Sequence, residues 1–194
     1  MEWTHLKPAD GRLMPWKNGG GSTLELAVEP PGARLETGFQ WRVSSAEVHG
    51  SGPFSAFPGM ARWLVLLEGA GFQIDFGPHG RVDLTDPLIP IHFSGDWSAT
   101  AFLVDGPCTD LNLMVDPRWH RARLEAFHLA SSRRLPLTAA TTLLFVARGT
   151  VSVPAWNLHL GRRHLLRLEG GAGDLTLAPG LGGAALVRMD LDPV

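Results

Sequence analysis

Apolar and polar residues alternate with a period of two through much of this 194-residue chain, and few folds accept that pattern. Phe72, Ile74 and Phe76 alternate with Gln73 and Asp75, as on a strand that buries one face. Glycine and proline turns separate such segments at spacings typical of a β-sandwich or barrel. Further alternating segments lie at residues 89–93, 158–160 and 175–177. The pattern predicts an all-β protein.

A helical pattern is nearly absent. Residues 117–127 carry helix-start signals, because Asp116 could cap a helix and Pro117 could take its first position. The same segment also alternates, with Arg121 and Arg123 on the side opposite Leu124. We expect a strand there.

Two segments of the chain show a weak sequence similarity that suggests an internal repeat. Residues 64–74 resemble residues 144–153: in each, an apolar strand enters a glycine turn and a second strand leaves it. We therefore expect two barrels, formed by residues 1–115 and 116–194, with a seam at about 115–137 and with exchange of strands between them left open. One sandwich with two ordinary hairpins is the alternative.

Charge and cysteine content restrict the partners and the compartment. A net charge of −2 offers a phosphate backbone no broad attraction, so we expect no nucleic-acid partner. Cys108 is the only cysteine, which favours a reducing compartment. The N-terminus lacks the apolar core of a signal peptide, and the longest aliphatic runs are too short for a membrane helix. We expect a cytoplasmic protein with no membrane partner.

Three consecutive glycines follow Lys17 and Asn18. Such a loop permits a backbone nest whose N–H groups hold an anion, and Lys17 would add charge. It is not a P-loop, since the lysine precedes the glycines and no strand and helix frame them. A small carboxylate site and a plain structural turn are the two interpretations.

Residues 39–48 place an arginine on one face of a predicted strand. Arg42 and Ser44 share that face, and one face of a small barrel strand must point inside. An inward guanidinium needs a partner that accepts its hydrogen bonds. That partner is either a ligand carboxylate, with Arg42 as its anchor, or an internal acid such as Glu25.

Residues 105–114 form a second polar row. Asp110, Asn112 and Met114 share a face opposite Leu111 and Leu113, so the polar face lines a cavity or meets solvent at an edge. Cys108 lies in the preceding turn with no histidine near it in sequence, and we expect an inert, partly buried thiol.

The eight histidines are scattered, without a His-x-His or His-x-x-x-His pair. We therefore expect no metal and no other cofactor. A metal site drawn from distant strands, such as His49 with His92, is the alternative. No Ser-His-Asp or Gly-x-Ser-x-Gly pattern indicates a catalytic nucleophile.

Several motifs together resemble the HutD/Ves family. They are Trp16 to Gly21 with Thr23 and Glu25, Trp41-Arg42 with Ser44 and Ala46, residues 52–59 with Arg62, residues 93–96, residues 105–107 and residues 110–114. The resemblance is specific over residues 14–114 and beyond them rests on length and strand pattern.

This resemblance implies a bicupin, two jelly-roll cupin barrels in one chain, without the usual metal-binding His-x-His signature. It implies a role in regulating histidine utilisation, with a pathway metabolite such as urocanate or formylglutamate as ligand. His49 stands at a position outside the family pattern, so its role is open.

We favour a non-enzymatic protein that binds a small anionic metabolite in its N-terminal barrel, with the C-terminal barrel mainly structural. The rival is a cupin-type isomerase or hydrolase that uses Glu25 or Asp110 as a base, and a scaffold with vestigial pockets is a third interpretation. Pairing of edge strands into a homodimer is left open. The expected ligand-binding residues are Trp16, Lys17, Asn18, Glu25, Arg42, Ser44, Arg62, Asp110 and Asn112.

Overall fold

The computed structural model describes residues 1–194. It contains seventeen strands and three single-turn 3₁₀ segments, so the all-β prediction is confirmed. The 3₁₀ segments are Pro8–Asp10, Gly77–His79 and Pro154–Trp156. The strands are β1 (Glu2–Leu6), β2 (Arg12–Pro15), β3 (Gly21–Glu29), β4 (Trp41–Val48), β5 (Gly52–Pro53), β6 (Ala61–Glu68), β7 (Phe72–Asp75), β8 (Arg81–Leu84), β9 (Pro90–Ser94), β10 (Thr100–Leu103), β11 (Cys108–Val115), β12 (His120–Leu129), β13 (Arg133–Leu137), β14 (Thr141–Val153), β15 (Leu158–Leu160), β16 (Leu165–Glu169) and β17 (Gly173–Pro193). None of the helical segments has the length and apolarity needed to cross a bilayer.

The segment with mixed helix and strand signals is the strand β12, as expected. Asp116 closes a turn before it: the carboxylate accepts the Arg118 N–H at 3.0 Å, and the Asp116 carbonyl accepts the Trp119 N–H at 3.0 Å. Along β12, Arg121 and Arg123 are exposed and Leu124 is buried. The period-two pattern therefore prevails over the capping signal.

The chain folds as two compact units. The N-terminal unit contains residues 11–120 and Val194, and the C-terminal unit contains residues 1–10 and 121–193. The first ten residues, which the sequence placed with the N-terminal domain, belong to the other unit. The reason is that β1 pairs antiparallel with β16 along its whole length, from Glu2 opposite Glu169 to Leu6 opposite Leu165.

Two antiparallel sheets form the N-terminal unit. The six-stranded sheet has the order β2-β3-β4-β11-β6-β9 and the four-stranded sheet the order β5-β10-β7-β8. Leu64 and Leu66 from the first sheet pack with Phe72 and Ile74 from the second in one core. Strand pairing closes neither sheet, so these are open sheets instead of the expected closed barrel.

Prolines contribute to the open edges. Three of the four edge strands contain one: β2 ends at Pro15, β5 ends at Pro53 and β9 begins at Pro90. A proline has no N–H to donate to a further strand, so pairing stops there.

One sheet forms the C-terminal unit, in the order β1-β16-β14-β17-β12, with β13 paired to β17 and β15 to β14. Its core is rich in leucine. The internal repeat predicted two separate strands on either side of Gly149. Instead, the single strand β14 continues through Gly149, with a register shift against β17. Gly149 has φ 73°, and a Cβ there would lie 2.3 Å from the Gly183 carbonyl oxygen. The glycine therefore makes a bulge where two backbones meet, and not a turn.

Candidate functional site

Polar residues from neighbouring strands share one face of the six-stranded sheet. Directly opposite residues on paired strands point to the same side. Read from β3 through β4 and β11 to β6, three rows lie in register: Thr23–Ala46–Asp110–Leu66, Glu25–Ser44–Asn112–Leu64 and Val28–Arg42–Met114–Arg62. The register thus brings Arg42 and Ser44 onto the same face as Asp110 and Asn112, and it places Arg62 on that face too.

A cavity of about 450 Å³ opens over this face, within the N-terminal unit. Residues 14–18 form one part of its wall and residues 53–57 another. Glu25 is buried beside Arg42 and does not line it. The other eight expected residues all line it: Trp16, Lys17, Asn18, Arg42, Ser44, Arg62, Asp110 and Asn112.

The three glycines form the hairpin turn between β2 and β3. The Gly19 N–H donates to the Trp16 carbonyl at 3.0 Å, and the Gly20 N–H donates to Asn18 Oδ1 at 3.0 Å. A Cβ on Gly21 would lie 2.2 Å from the Glu47 carbonyl oxygen, so only glycine fits there. Because the turn uses the N–H groups of Gly19 and Gly20 itself, this geometry favours the structural interpretation over an anion nest.

The same turn places Trp16 in the cavity wall. A Cβ on Gly21 would meet the indole ring at 3.2 Å, so the ring lies directly against the turn. The indole Nε1–H donates to Thr23 Oγ1 at 2.8 Å. Lys17 and Asn18 are exposed and lie at the rim. The turn supplies an apolar wall and a polar rim.

Arg42 already has a partner in the protein. Its Nε donates to Glu25 Oε2 at 2.6 Å, and Arg12 Nη2 lies 3.2 Å from Glu25 Oε1. Both Arg42 and Glu25 are buried. The structure therefore contains the internal acid that the sequence left as the alternative to a ligand carboxylate.

Arg62 is buried with its hydrogen-bonding capacity only partly used. Nη1 donates to the Ser55 carbonyl at 3.1 Å, and Nε has no partner. The rings of Phe57 and Phe93 flank the guanidinium, with centroids 5.1 and 4.9 Å from Cζ. Burial lowers the pKa of Arg62 to about 10, while the nearby Asp110 carboxyl acts in the opposite direction. At neutral pH it is a cation with a free donor.

The two phenylalanines were not among the expected site residues. Both lie in segments already matched to the family, at 52–59 and 93–96, but their sequence context shows no link to Arg62. The position of Phe93 arises from β6 pairing with β9, which places this residue opposite Arg62.

Asp110 and Asn112 supply acceptors to the cavity. The Oδ1 atoms of both side chains are buried and without a partner. Burial raises the pKa of Asp110 from 3.8 to about 7, against the lowering effects of the Ala46 N–H and the Arg62 charge. Near neutral pH the Asp110 carboxyl therefore exists in both protonation states.

The HutD family model matches residues 8–185 of this chain. The chain belongs to the HutD family. It is 39% identical, over 85% of its length and 86% of the relative's, to an uncharacterised 21.2 kDa protein of Pseudomonas putida in the hutC 3′ region. It is 38% identical to protein Ves of Citrobacter koseri over 55% of this chain and 56% of that protein. The structure of HutD from Pseudomonas fluorescens superimposes with a TM-score of 0.84 at 34% identity and covers both chains fully.

More distant structures share the fold alone. Vicilin from Capsicum annuum has a TM-score of 0.69 at 9% identity, covering 97% of this chain and 86% of that one. Oxalate decarboxylase from Lactobacillus farciminis has a TM-score of 0.67 at 8% identity, covering 98% and 86%. This HutD-family protein therefore has a cupin-like, all-β fold.

The remaining candidates of this HutD-family chain lie off the cavity. His49 is exposed, and its backbone N–H donates to the Gly20 carbonyl at 2.8 Å. Cys108 is buried, its sulfur accepts the Gly71 N–H at 3.1 Å, and burial raises the pKa of its thiol, as suits an unreactive cysteine. No three His, Cys, Asp or Glu side chains converge as metal ligands.

Proposed function

We propose that this HutD-family protein binds a small carboxylate metabolite in the cavity of its N-terminal unit and does not transform it. The observation that carries the proposal is Arg62, a buried cation that lines the cavity with an unpartnered Nε–H. A carboxylate is the natural partner, since it accepts paired hydrogen bonds from a guanidinium fork. Arg62 is therefore the proposed anchor of the ligand in place of Arg42. The ion pair between Arg42 and Glu25 stabilises the cavity wall.

The proposed ligand belongs to histidine utilisation, with urocanate and formylglutamate as candidates. The P. fluorescens relative is a HutD, and the P. putida relative lies in the hutC 3′ region. A volume of about 450 Å³ is in the range of small-molecule pockets. The aromatic wall around Arg62 suits a planar or short-chain acid.

The proposed architecture is a bicupin, with one cupin-like module in each unit. The division into two units supports it, as does the likeness of nearly the whole chain to vicilin and oxalate decarboxylase. Of the two units, the N-terminal one has the polar cavity, which fits a binding module paired with a mainly structural one.

A second candidate is an enzyme with Asp110 as general base. A carboxyl with a pKa of about 7 is suited to proton transfer near neutrality. Glu25, the other candidate base, is engaged by two arginines. Prolonged incubation with urocanate or formylglutamate, followed by NMR, distinguishes the two: a new product supports the enzyme.

The binding proposal is tested by calorimetric titration of the wild type and three variants with urocanate and formylglutamate. We expect Arg62→Lys to bind at least tenfold more weakly, because lysine keeps the charge but loses the fork. Arg42→Lys should melt at a lower temperature yet retain binding. Arg81→Lys, at an exposed pair with Asp75, is the control and should bind as the wild type does. An Arg62→Lys variant with wild-type affinity would sink the proposed anchor.

A further inference from the structure

Three buried polar atoms at the cavity have no hydrogen-bond partner. They are Nε of Arg62 and the two Oδ1 atoms of Asp110 and Asn112. Buried polar groups are rarely left unpaired in native proteins, and those that are call for an explanation. The set is mixed: one atom is a donor and two are acceptors.

The sheet register surrounds these acceptors with few side-chain donors. The neighbours of Asp110 across the strands are Ala46 and Leu66, neither of which has a side-chain donor. Asn112 has Leu64 on one side and Ser44 on the other. No protein side chain donates to either Oδ1 atom.

A ligand whose only polar group is a carboxylate would pair with the Arg62 donor but not with the two acceptors. Its oxygens accept from Arg62, but it has no hydrogen to offer to the two acceptors. An amide or imidazole N–H placed beyond the carboxylate would supply that hydrogen. In its ionised form, Asp110 makes the stronger, charge-assisted acceptor of the two.

We propose that Asp110 and Asn112 determine specificity, by selecting among small carboxylates those that also carry an N–H donor of the amide or imidazole type. This rests on the proposed binding function. Arg62 binds the ligand's carboxylate, and Asp110 and Asn112 accept hydrogen bonds from the ligand's N–H group. Simple aliphatic and aromatic acids are rejected because they leave the two acceptors buried and unpaired.

The test compares two ligands of nearly equal shape. Urocanate carries an imidazole N–H, and 3-(3-furyl)acrylate has a ring of the same size without any N–H. We expect the wild type to bind urocanate at least tenfold more tightly by calorimetry. Equal affinities would overturn the specificity proposal while leaving the carboxylate-binding proposal intact. Binding of neither ligand would overturn both.

Two variants locate the discrimination. Asp110→Leu and Asn112→Leu each remove an acceptor, so they should lower the ratio of the two affinities severalfold while the furyl acid binds no more weakly than to the wild type. Arg62→Lys should instead weaken both ligands by a similar factor and leave the ratio unchanged. Loss of discrimination only in Arg62→Lys would show that Asp110 and Asn112 do not recognise the ligand N–H, against the proposal. The wild-type comparison decides the matter even where a variant fails to fold.

Discussion

The buried charges beside the cavity differ in how completely the protein satisfies them. Glu25 is held by Arg42 and Arg12, so its charge is compensated on both oxygens. Asp110 is as deeply buried, but its Oδ1 has no partner. An incompletely paired acid lowers stability, and such local conflicts are typical of functional sites.

Replacing Asp110 by Asn should stabilise the folded protein increasingly as the pH rises. Burial raises the carboxyl pKa from 3.8 to about 7, so the stability provided by the protonated acid is complete below 3.8 and is lost as the pH rises through 7. The amide does not titrate. At about 1.4 kcal/mol per pKa unit, the variant should gain about 4 kcal/mol relative to the wild type between pH 4 and pH 8.

Urea unfolding at several pH values measures this difference. Asp83→Asn is the matched control, because Asp83 is an exposed acid on β8 outside the cavity. Its stability relative to the wild type should change little with pH. A gain for Asp110→Asn that is the same at pH 4 and pH 8 would contradict the raised pKa.

Strand β1 illustrates how one element depends on a few contacts. It forms one edge of the C-terminal sheet, and His5 on it donates from Nε2 to Nδ1 of His164 at 2.8 Å. The same Nδ1 accepts the Gly161 N–H at 3.1 Å, so this nitrogen carries no proton in the folded state. Burial is the main cause that lowers the pKa of both histidines, and Lys7 reinforces it while Asp10 opposes it.

Acidification should therefore weaken the attachment of β1. Because the folded pKa values lie below 6.5, the unfolded chain binds protons first, and the stability from the neutral pair is complete above 6.5 and lost as the pH falls below it. Between pH 7.5 and pH 5.5, we expect the melting temperature of His164→Asn to fall by less than that of the wild type. His49→Asn, which alters an exposed histidine outside this pair, should match the wild type. A wild-type drop in His164→Asn would refute the role of this pair.

The two units divide the chemistry of the whole molecule unequally. The cavity and its unpartnered polar atoms lie in the N-terminal unit, whereas the core of the C-terminal unit is filled by aliphatic side chains such as Leu144, Leu166 and Leu186. An aliphatic core of that kind is a poor environment for a carboxylate, whose charge needs a polar partner.

Hydrogen exchange should locate the ligand accordingly. Saturating urocanate should slow the local exchange of amides in β3, β4, β6, β11 and the turn at residues 16–21, and leave those of β13 to β17 nearly unchanged. The free and liganded protein are compared by mass spectrometry on peptic fragments. Protection confined to the C-terminal unit would place the site there and contradict the assignment of the cavity.

The sequence by itself determined which residues share a strand face. Alternation placed Arg42 with Ser44 and Asp110 with Asn112, because successive side chains on a strand point to opposite sides whatever the strand pairs with. It also located the turn at Gly19, since glycine readily adopts the positive φ that the turn requires there.

Only the tertiary structure decided which faces meet. Glu25 reaches Arg42 through a register shift between Glu25 and Ala27, and β1 pairs with a strand some 160 residues away. Arg62 lacks a full set of hydrogen-bond partners because the strand pairing places Met114 of β11 and Phe93 of β9 opposite it, and neither side chain offers an oxygen acceptor. Such register and partner choices depend on contacts between distant segments, and the two-residue period of a strand carries no information about them.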